Sequence, residues 1–358
     1  MTVAEPTVGE LRATLRAVEQ AWGRVVEHGP VVTRRLSIAG IDVEVALAGV
    51  ELTEALLPAF DGLEPAQGPV RGTVGAWDAA ATGIRIPEHP AGSPGPPYRA
   101  TVRRDGRPVA EIEWSNLGFV RTGNRDSGLY LLAAPRAAVL LHWEVGTPLR
   151  RQLRWVLSPE VLFVHAGAVG DESGAALLMG SSGAGKSSTA LACFRAGMGF
   201  LSDDYCLVRD DPPVVHRIHA TARVFDDDAH HFGDFLEPVT VGASVGERDP
   251  TEEPKALFRI STDGPGRMLA SAPVRVVLLP ERGDGKRPRV EPIGAGEALR
   301  RVAPSMLHQM SLEPDRELAQ LRRLLTSVPC YRLVLSPDRR ANPIAVQEAI
   351  GAASSAPS

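Results

Sequence analysis

In the first part of the chain the apolar positions follow a helical spacing in one segment and a strand alternation in others. Apolar side chains recur at helical spacing over residues 8–28, which predicts an amphipathic helix. These positions are Leu11, Leu15, Val18, Trp22 and Val26. The next segment alternates apolar and polar positions about Gly40, which predicts two strands, and a later segment predicts a β-hairpin that turns at Asp105 and Gly106. We expect a smaller mixed α+β domain over residues 1–139, whose sequence carries no motif that assigns a chemistry.

The second part of the chain has longer apolar runs. Residues 161–170 and 175–179 are rich in apolar side chains, as expected for strands that are buried on both faces. A glycine-rich segment and further helical and strand patterns follow, and one helix is predicted over residues 296–303. The order strand, loop, helix, strand predicts an α/β domain over residues 140–350. Residues 351–358 are expected to form a disordered tail.

Composition narrows the class of protein. The chain has 358 residues, 44% of them hydrophobic, which is enough for two domains with apolar cores. Its 39 basic and 43 acidic residues give a net charge of -4, so no overall field favours nucleic acid or an anionic membrane. No apolar stretch is long enough to span a bilayer, the N-terminus lacks the pattern of a signal peptide, and the three cysteines show no pairing pattern. We expect a cytoplasmic protein without a nucleic-acid or membrane partner; a homo-oligomer stays open.

The segment GSSGAGKSS, residues 180–188, matches the phosphate-loop pattern. A strand before it and a helix after it would direct backbone N–H groups and the helix N-terminus at phosphate oxygens. Lysine occurs only at Lys186, Lys255 and Lys286, so a lysine in this loop is a specific signal. We expect Lys186 to contact nucleotide phosphates and the Ser187 hydroxyl to bind magnesium. The expected nucleotide-binding residues are Gly180, Ser181, Ser182, Gly183, Ala184, Gly185, Lys186, Ser187 and Ser188.

Two aspartates and a histidine flank this loop in the sequence. Asp203 and Asp204 end a short apolar segment one helix after the loop, which would bring both carboxylates beside the phosphates. In phosphoryl transfer one acid can hold magnesium while another accepts the proton of the attacking hydroxyl. His165 lies on the strand that precedes the loop strand. The alternatives are solvated aspartates at a strand end and a histidine that belongs to the core.

The motifs VHAGAV, LLMGSSGAGKSS and FLSDDY occur in the order and approximate spacing of the catalytic core of the HPr kinase/phosphorylase family, which the chain resembles. The resemblance implies an α/β (α+β) kinase core with a phosphate loop like that of phosphoenolpyruvate carboxykinases. It implies ATP and Mg²⁺ as cofactors and His165 as an active-site residue. It also implies that Lys186 and Ser187 bind nucleotide and metal. From the same resemblance we expect the two aspartates to have different roles: Asp203 as the base that takes the proton, and Asp204 as the metal ligand.

The chain departs from HPr kinases at Ser188, where those enzymes carry an acid, and it lacks their later glycine-rich signature. We therefore expect ATP-dependent phosphorylation of a serine or threonine in a protein or peptide other than HPr. A regulatory module that binds nucleotide without transfer and a small-molecule hydroxyl kinase stay open as alternatives. Lys255 and Arg223 are weaker candidates for contact with the transferred phosphate. The acidic segment 226–234 is expected to be a solvated loop rather than a metal site.

Overall fold

The structure, a computed structural model, describes residues 8–89, 98–144, 146–225, 230–239, 255–261, 264–310 and 312–355. Within them the chain divides into two compact units. The first unit contains residues 8–58 and the described part of 64–158, and the second contains 59–63 and the described part of 159–355. Each unit combines helices with a large sheet, which confirms the mixed α/β class expected from the sequence.

The helices confirm most of the sequence predictions. The first helix has the predicted bounds, but Val26, which was assigned to its apolar face, is exposed, and Val25 is buried instead. In the described residues they are α1 (Val8–His28), α2 (Val50–Leu56), α3 (Ala79–Thr82), α4 (Ala137–Glu144), α5 (Arg150–Leu157), α6 (Lys186–Arg195), α7 (Ala295–Met310), α8 (Pro314–Ser327) and α9 (Asn342–Ser355). A 3₁₀ turn, Leu57–Phe60, follows α2. No helix of the described ranges has both the length and the apolar character needed to cross a membrane.

The first unit contains one mixed sheet. Its strands are β1 (Val31–Ile38), β2 (Ile41–Ala48), β3 (Glu64–Pro65), β4 (Thr73–Asp78), β5 (Tyr98–Arg104), β6 (Arg107–Trp114), β7 (Val120–Asn124) and β8 (Leu129–Ala134). They follow the order β3-β1-β2-β4-β8-β7-β6-β5, with β4 parallel to β2 and β8. The β5–β6 hairpin turns at Asp105 and Gly106, whose φ angles of 51° and 77° are those of the predicted turn.

The second unit contains a larger sheet and a small one. The strands are β9 (Leu162–Asp171), β10 (Gly174–Met179), β11 (Gly199–Ser202), β12 (Tyr205–Arg209), β13 (Val214–His216), β14 (Thr221–Phe225), β15 (Leu236–Pro238), β16 (Lys255–Ile260), β17 (Ser271–Arg282), β18 (Arg289–Ile293) and β19 (Cys330–Leu335). The larger sheet follows the order β10-β9-β12-β13-β17-β19-β18, with β11 paired to β9. Because β10 also pairs with β17, five of these strands close a ring. The small sheet has the order β14-β16-β15.

Strand β10 is buried on both faces. Ala175, Leu177 and Met179 pack in a core with side chains of α7 and α8. Ala176 and Leu178 pack on the opposite face with side chains of α6 and α9. Its edges are occupied as well, because β10 is antiparallel to β9 and parallel to β17. The strand therefore ends at a fixed place, directly before the glycine-rich loop.

Residues 59–63 belong to the second unit although they lie far from the rest of it in sequence. Arg217 is 1% exposed, and it donates from Nε to the Leu269 carbonyl and from one terminal nitrogen to the Asp61 carbonyl, at 3.1 and 2.9 Å. The Ala220 N–H also donates to the Ala59 carbonyl. Burial lowers the pKa of Arg217 to about 10. Residues 59–63 therefore provide the carbonyl that a buried cation requires.

Two element ends differ from the sequence predictions. Helix α7 was expected to end before Pro304, but it continues to Met310 with that proline inside it. Helix α9 continues to Ser355 in place of the expected disordered tail, and residues 356–358 lie outside the described part. The hydroxyls of Ser354 and Ser355 donate to carbonyls one turn back, which satisfies groups at the end of the helix.

Candidate functional site

The loop at residues 180–185 joins β10 to α6 through three glycines with positive φ. The φ angles are 150° at Gly180, 76° at Gly183 and 102° at Gly185, which side chains rarely adopt. A Cβ at Gly185 would also lie 2.6 Å from Leu335 Cδ1. Glycine is therefore required at Gly185 for both conformation and space. The loop leaves the first N–H groups of α6 at its inner side, where an anion would be stabilised.

Lys186 is the first residue of α6, and its ammonium group is held over the loop. The side chain is 6% exposed. Its Nζ donates to the main-chain carbonyls of Gly180 and Ser181 at 2.9 and 3.0 Å. The buried positive charge is thus stabilised by two carbonyl dipoles at the start of the loop. A phosphate oxygen is a stronger acceptor than either carbonyl.

Asp203 follows β11 and is almost completely buried. It is 5% exposed, and its Oδ2 accepts from the Arg223 N–H at 2.9 Å. The Ser187 hydroxyl lies 3.5 Å from the Asp203 main-chain oxygen. Burial, together with the negative charge of Asp204, raises the pKa of Asp203 to about 7. This carboxyl therefore changes charge in the neutral pH range.

Asp204 and His165 form a hydrogen-bonded pair. Asp204 Oδ1 lies 2.9 Å from His165 Nε2, and the two side chains are 23% and 7% exposed. His165 comes from β9 and is paired in register with Tyr205 of β12, which follows the two aspartates. The Tyr205 ring stacks on the imidazole, with centroids 5.0 Å apart and planes at 20°. Strand pairing therefore brings the histidine to the acid.

One pocket collects most of the residues that the sequence singled out. It is lined by His165, Ser182, Gly183, Gly185, Lys186, Ser187, Ser188, Asp204, Arg223 and Val224. Gly180, Ser181 and Ala184 do not line it, although two of them bind Lys186 through their carbonyls. Asp203 lies behind the lining and Asp204 is part of it. The two adjacent acids therefore have different access to a ligand.

Arg223 brings a second positive charge to the pocket. It lies on β14, and its backbone N–H is the group that binds Asp203. Within the described part of the chain its guanidinium has no hydrogen-bonded or ion-paired partner. Its charge lowers the pKa of Asp203 and so opposes, in part, the effect of burial. Lys255 begins β16 opposite Phe225, and its side chain lies outside the described part.

Three residues at the site were missed by the sequence reasoning. Ser305 Oγ lies 2.6 Å from His165 Nδ1, and Met306 Sδ accepts from the His165 N–H at 3.2 Å. Tyr205 stacks on the same ring. The only sequence signal for Ser305 was the proline before it, which was read as the end of a helix. The contact between His165 and Ser305 joins residues that are 140 positions apart, which a local sequence pattern cannot predict.

Two further histidines, His216 and His219, do not line the pocket. His219 is buried with its ring 5.3 Å from Phe60, and burial lowers the pKa of His216. Residues 226–229 of the acidic segment lie outside the described part. Across the described residues no group of three or more His, Cys, Asp or Glu side chains could hold a metal ion.

We expect Asp203→Asn to stabilise the fold increasingly as the pH rises. The folded-state pKa of about 7 exceeds the ordinary value of 3.8, so the wild-type protein loses stability as Asp203 ionises in the buried site. The Asn side chain stays neutral and can still accept from Arg223. The gain in unfolding free energy should be near zero at about pH 4 and reach at most about 4 kcal/mol at about pH 8.

Urea unfolding at both pH values measures this difference. The control is Asp210→Asn, which removes an exposed acid of the same unit. Equal gains at the two pH values, or the same pH trend in the control, would contradict the raised pKa of Asp203.

Comparison with protein-family models finds no match for the chain, and comparison with curated proteins finds none either. The site is thus defined by its own geometry. Its parts are a glycine-rich turn between a strand and a helix, a lysine held over that turn, and a pair of aspartates beside a histidine.

Proposed function

We propose that the chain is an ATP-dependent kinase that transfers the γ-phosphate to a serine or threonine hydroxyl of a protein or peptide. The observation that carries this proposal is the convergence of Lys186, Ser187, Asp204 and His165 on one pocket. A glycine-rich loop and a lysine suffice to bind a nucleotide, whereas transfer also needs an acid that faces the acceptor. The same combination is what the resemblance to HPr kinases implies.

The loop and α6 are proposed to hold the ATP phosphates. Backbone N–H groups at the start of α6 favour anions, and the ammonium group of Lys186 lies in the same pocket. Lys186 can exchange its two carbonyl acceptors for phosphate oxygens without leaving the pocket. This exchange would strengthen its hydrogen bonds because the new acceptors carry charge.

Ser187 and Asp203 are proposed to hold Mg²⁺. Ser187 lines the pocket and its side chain is hydrogen-bonded to the Asp203 carboxyl, so an ion bound at the hydroxyl would also lie next to that carboxylate. Hydroxyl and carboxylate oxygens are ligands that Mg²⁺ prefers together with substrate phosphates. A single carboxylate is enough for such a site, which fits the absence of a larger cluster among the described residues. Bound Mg²⁺ supplies positive charge that neutralises the phosphate oxygens. The expected metal ligand from sequence was Asp204, so this part of the proposal exchanges the roles of the two acids.

Asp204 is proposed to take the proton of the attacking hydroxyl. A general base must come within hydrogen-bond reach of its proton, and Asp204 lines the pocket while Asp203 is buried behind it. His165 binds Asp204 Oδ1 through Nε2 and so restricts the rotation of this carboxylate. The released proton therefore passes to a carboxylate that is already oriented. Orientation of this kind lowers the entropy cost of reaching the transition state.

Arg223 is proposed to stabilise the charge of the phosphoryl group during transfer. Arg223 lines the pocket, and its guanidinium has no ion-pair partner in the described residues. A planar fork of donors matches phosphate oxygens better than a second ammonium group would. The backbone N–H of the same residue positions Asp203, so one strand residue contributes to both sides of the site.

The two acids should respond differently to substitution. Asp204→Asn should slow transfer at least about 100-fold while Mg²⁺-ATP affinity changes little, because only the base is lost. Asp203→Asn should weaken Mg²⁺-ATP binding at least about 10-fold, because a metal ligand is lost. Binding is measured by titration calorimetry over a range of Mg²⁺ concentrations, and transfer by phosphate incorporation. The opposite pattern would support the roles expected from sequence. If neither variant changed binding or transfer, both proposed roles would be wrong.

Arg223→Gln should slow transfer at least about 100-fold and leave ATP affinity within about 10-fold, because the charge develops in the transition state. Arg223→Lys should recover part of the rate, since it restores charge without the fork. Arg275→Gln is the matched control, because this exposed side chain donates to the Ser173 carbonyl and does not line the pocket. A loss that is confined to ATP binding would assign Arg223 to ground-state binding instead.

The overall proposal is tested with ATP labelled in its γ-phosphate, Mg²⁺ and a protein extract. The wild-type protein should move label to a protein as acid-stable phosphoserine or phosphothreonine, and Lys186→Ala should not. ATP binding without transfer to any acceptor would identify a regulatory module. Label that appears only in small molecules would identify a small-molecule hydroxyl kinase.

A further inference from the structure

His165 is held by contacts on every polar group it offers. Nε2 lies 2.9 Å from Asp204 Oδ1, and Nδ1 lies 2.6 Å from Ser305 Oγ. The backbone N–H donates to Met306 Sδ. The ring face is covered by Tyr205. A side chain that is 7% exposed and fixed in this manner has one orientation, and its hydrogen-bond directions depend on its partners.

The partners determine which ring nitrogen carries the proton. A carboxylate only accepts hydrogen bonds, so contact with Asp204 requires the proton on His165 Nε2. In the neutral ring Nδ1 then has a lone pair, and the Ser305 hydroxyl can donate to it. We infer that Ser305 is a positioning residue: its O–H acts together with Asp204 to favour the Nε2–H form, and it fixes the His165 ring that aligns Asp204.

Ser305 reaches the histidine because α7 is seated firmly beside β9. Ala298, Val302 and Met306 lie on one side of this helix and are buried in the core that β10 shares. Pro304 has no N–H, so the hydrogen-bond ladder of α7 is interrupted directly before Ser305. The serine hydroxyl is therefore directed at the ring from an element anchored in the core.

The functional part of this inference rests on the proposed kinase activity. With the proton on Nδ1 instead, the Nε2 lone pair would face the lone pairs of Asp204, and the two would repel each other. The carboxylate would then turn away from the orientation that it has in the pocket. A residue that acts through another in this way typically contributes about 10-fold to 100-fold to activity.

The tautomer can be measured directly in the protein without nucleotide. Long-range proton–nitrogen NMR spectra of protein labelled with ¹⁵N-histidine distinguish the two tautomers, and the signal of His165 is identified by its absence in His165→Gln. We expect the Nε2–H form in the wild type and in Ser305→Thr. In Ser305→Ala only Asp204 still favours Nε2–H, so a measurable share of the Nδ1–H form should appear beside it. Ser327→Ala, which removes a hydroxyl bonded to Leu324 of the neighbouring helix, should keep the wild-type spectrum.

Activity is measured on the same variants. Ser305→Ala should slow transfer at least about 10-fold with unchanged ATP affinity, and Ser305→Thr should restore the rate. A pure Nε2–H form in Ser305→Ala would overturn the positioning role whether or not the protein is a kinase. A mixed form with an unchanged transfer rate would overturn its link to catalysis. If the wild type transfers no phosphate, the proposed function fails, and the spectra still decide the role of Ser305.

Discussion

Confinement of β10 on all four sides is the constraint on which the rest of the site depends. The strand pairs with β9 and β17 at its edges and packs against helices on both faces. Such a strand can slip neither along its neighbours nor toward solvent, because a shift by one residue would exchange its two apolar faces. The loop therefore begins at one place, and α6 leaves the sheet in one direction. The lysine, the serine and the acid pair are placed relative to that point.

The second determining factor is the cost of placing two carboxylates side by side in a poorly hydrated position. Asp203 carries most of this cost, and the rise of its pKa expresses it. Neighbouring groups offset part of this cost. The Arg223 backbone N–H donates to Asp203 and the Arg223 charge attracts it, while the His165 imidazole pairs with Asp204. Sites that keep such expensive groups usually do so for chemistry rather than for stability.

Sequence reasoning was most successful where the determining contacts are local. The periodicity of α1 and the turn at Asp105 and Gly106 depend on neighbouring residues, and both predictions are confirmed. Motif order indicated the loop, its lysine and the nearby acids and histidine as candidates, and adjacent strands bring His165 and Asp204 to the pocket of Lys186. The sequence could not predict which of the two acids lines the pocket, because Asp203 and Asp204 are adjacent and only the surrounding strands determine which one is covered. Ser305 was equally inaccessible, since α7 continues through a proline that normally ends a helix.

The contact between Arg217 and Asp61 limits how the gene can be cut into fragments that encode a complete folding unit. The unit that contains the candidate site is discontinuous in sequence, because it includes residues 59–63. A gene fragment that encodes only the chain after residue 140 would lack the carbonyl that accepts from the buried guanidinium. The fragment would keep the Leu269 carbonyl but lose the Asp61 carbonyl, so the Arg217 guanidinium would lose one of its two acceptors, and leaving a buried charged group poorly paired is costly. Recombination at a single point therefore cannot transfer this unit intact to another protein.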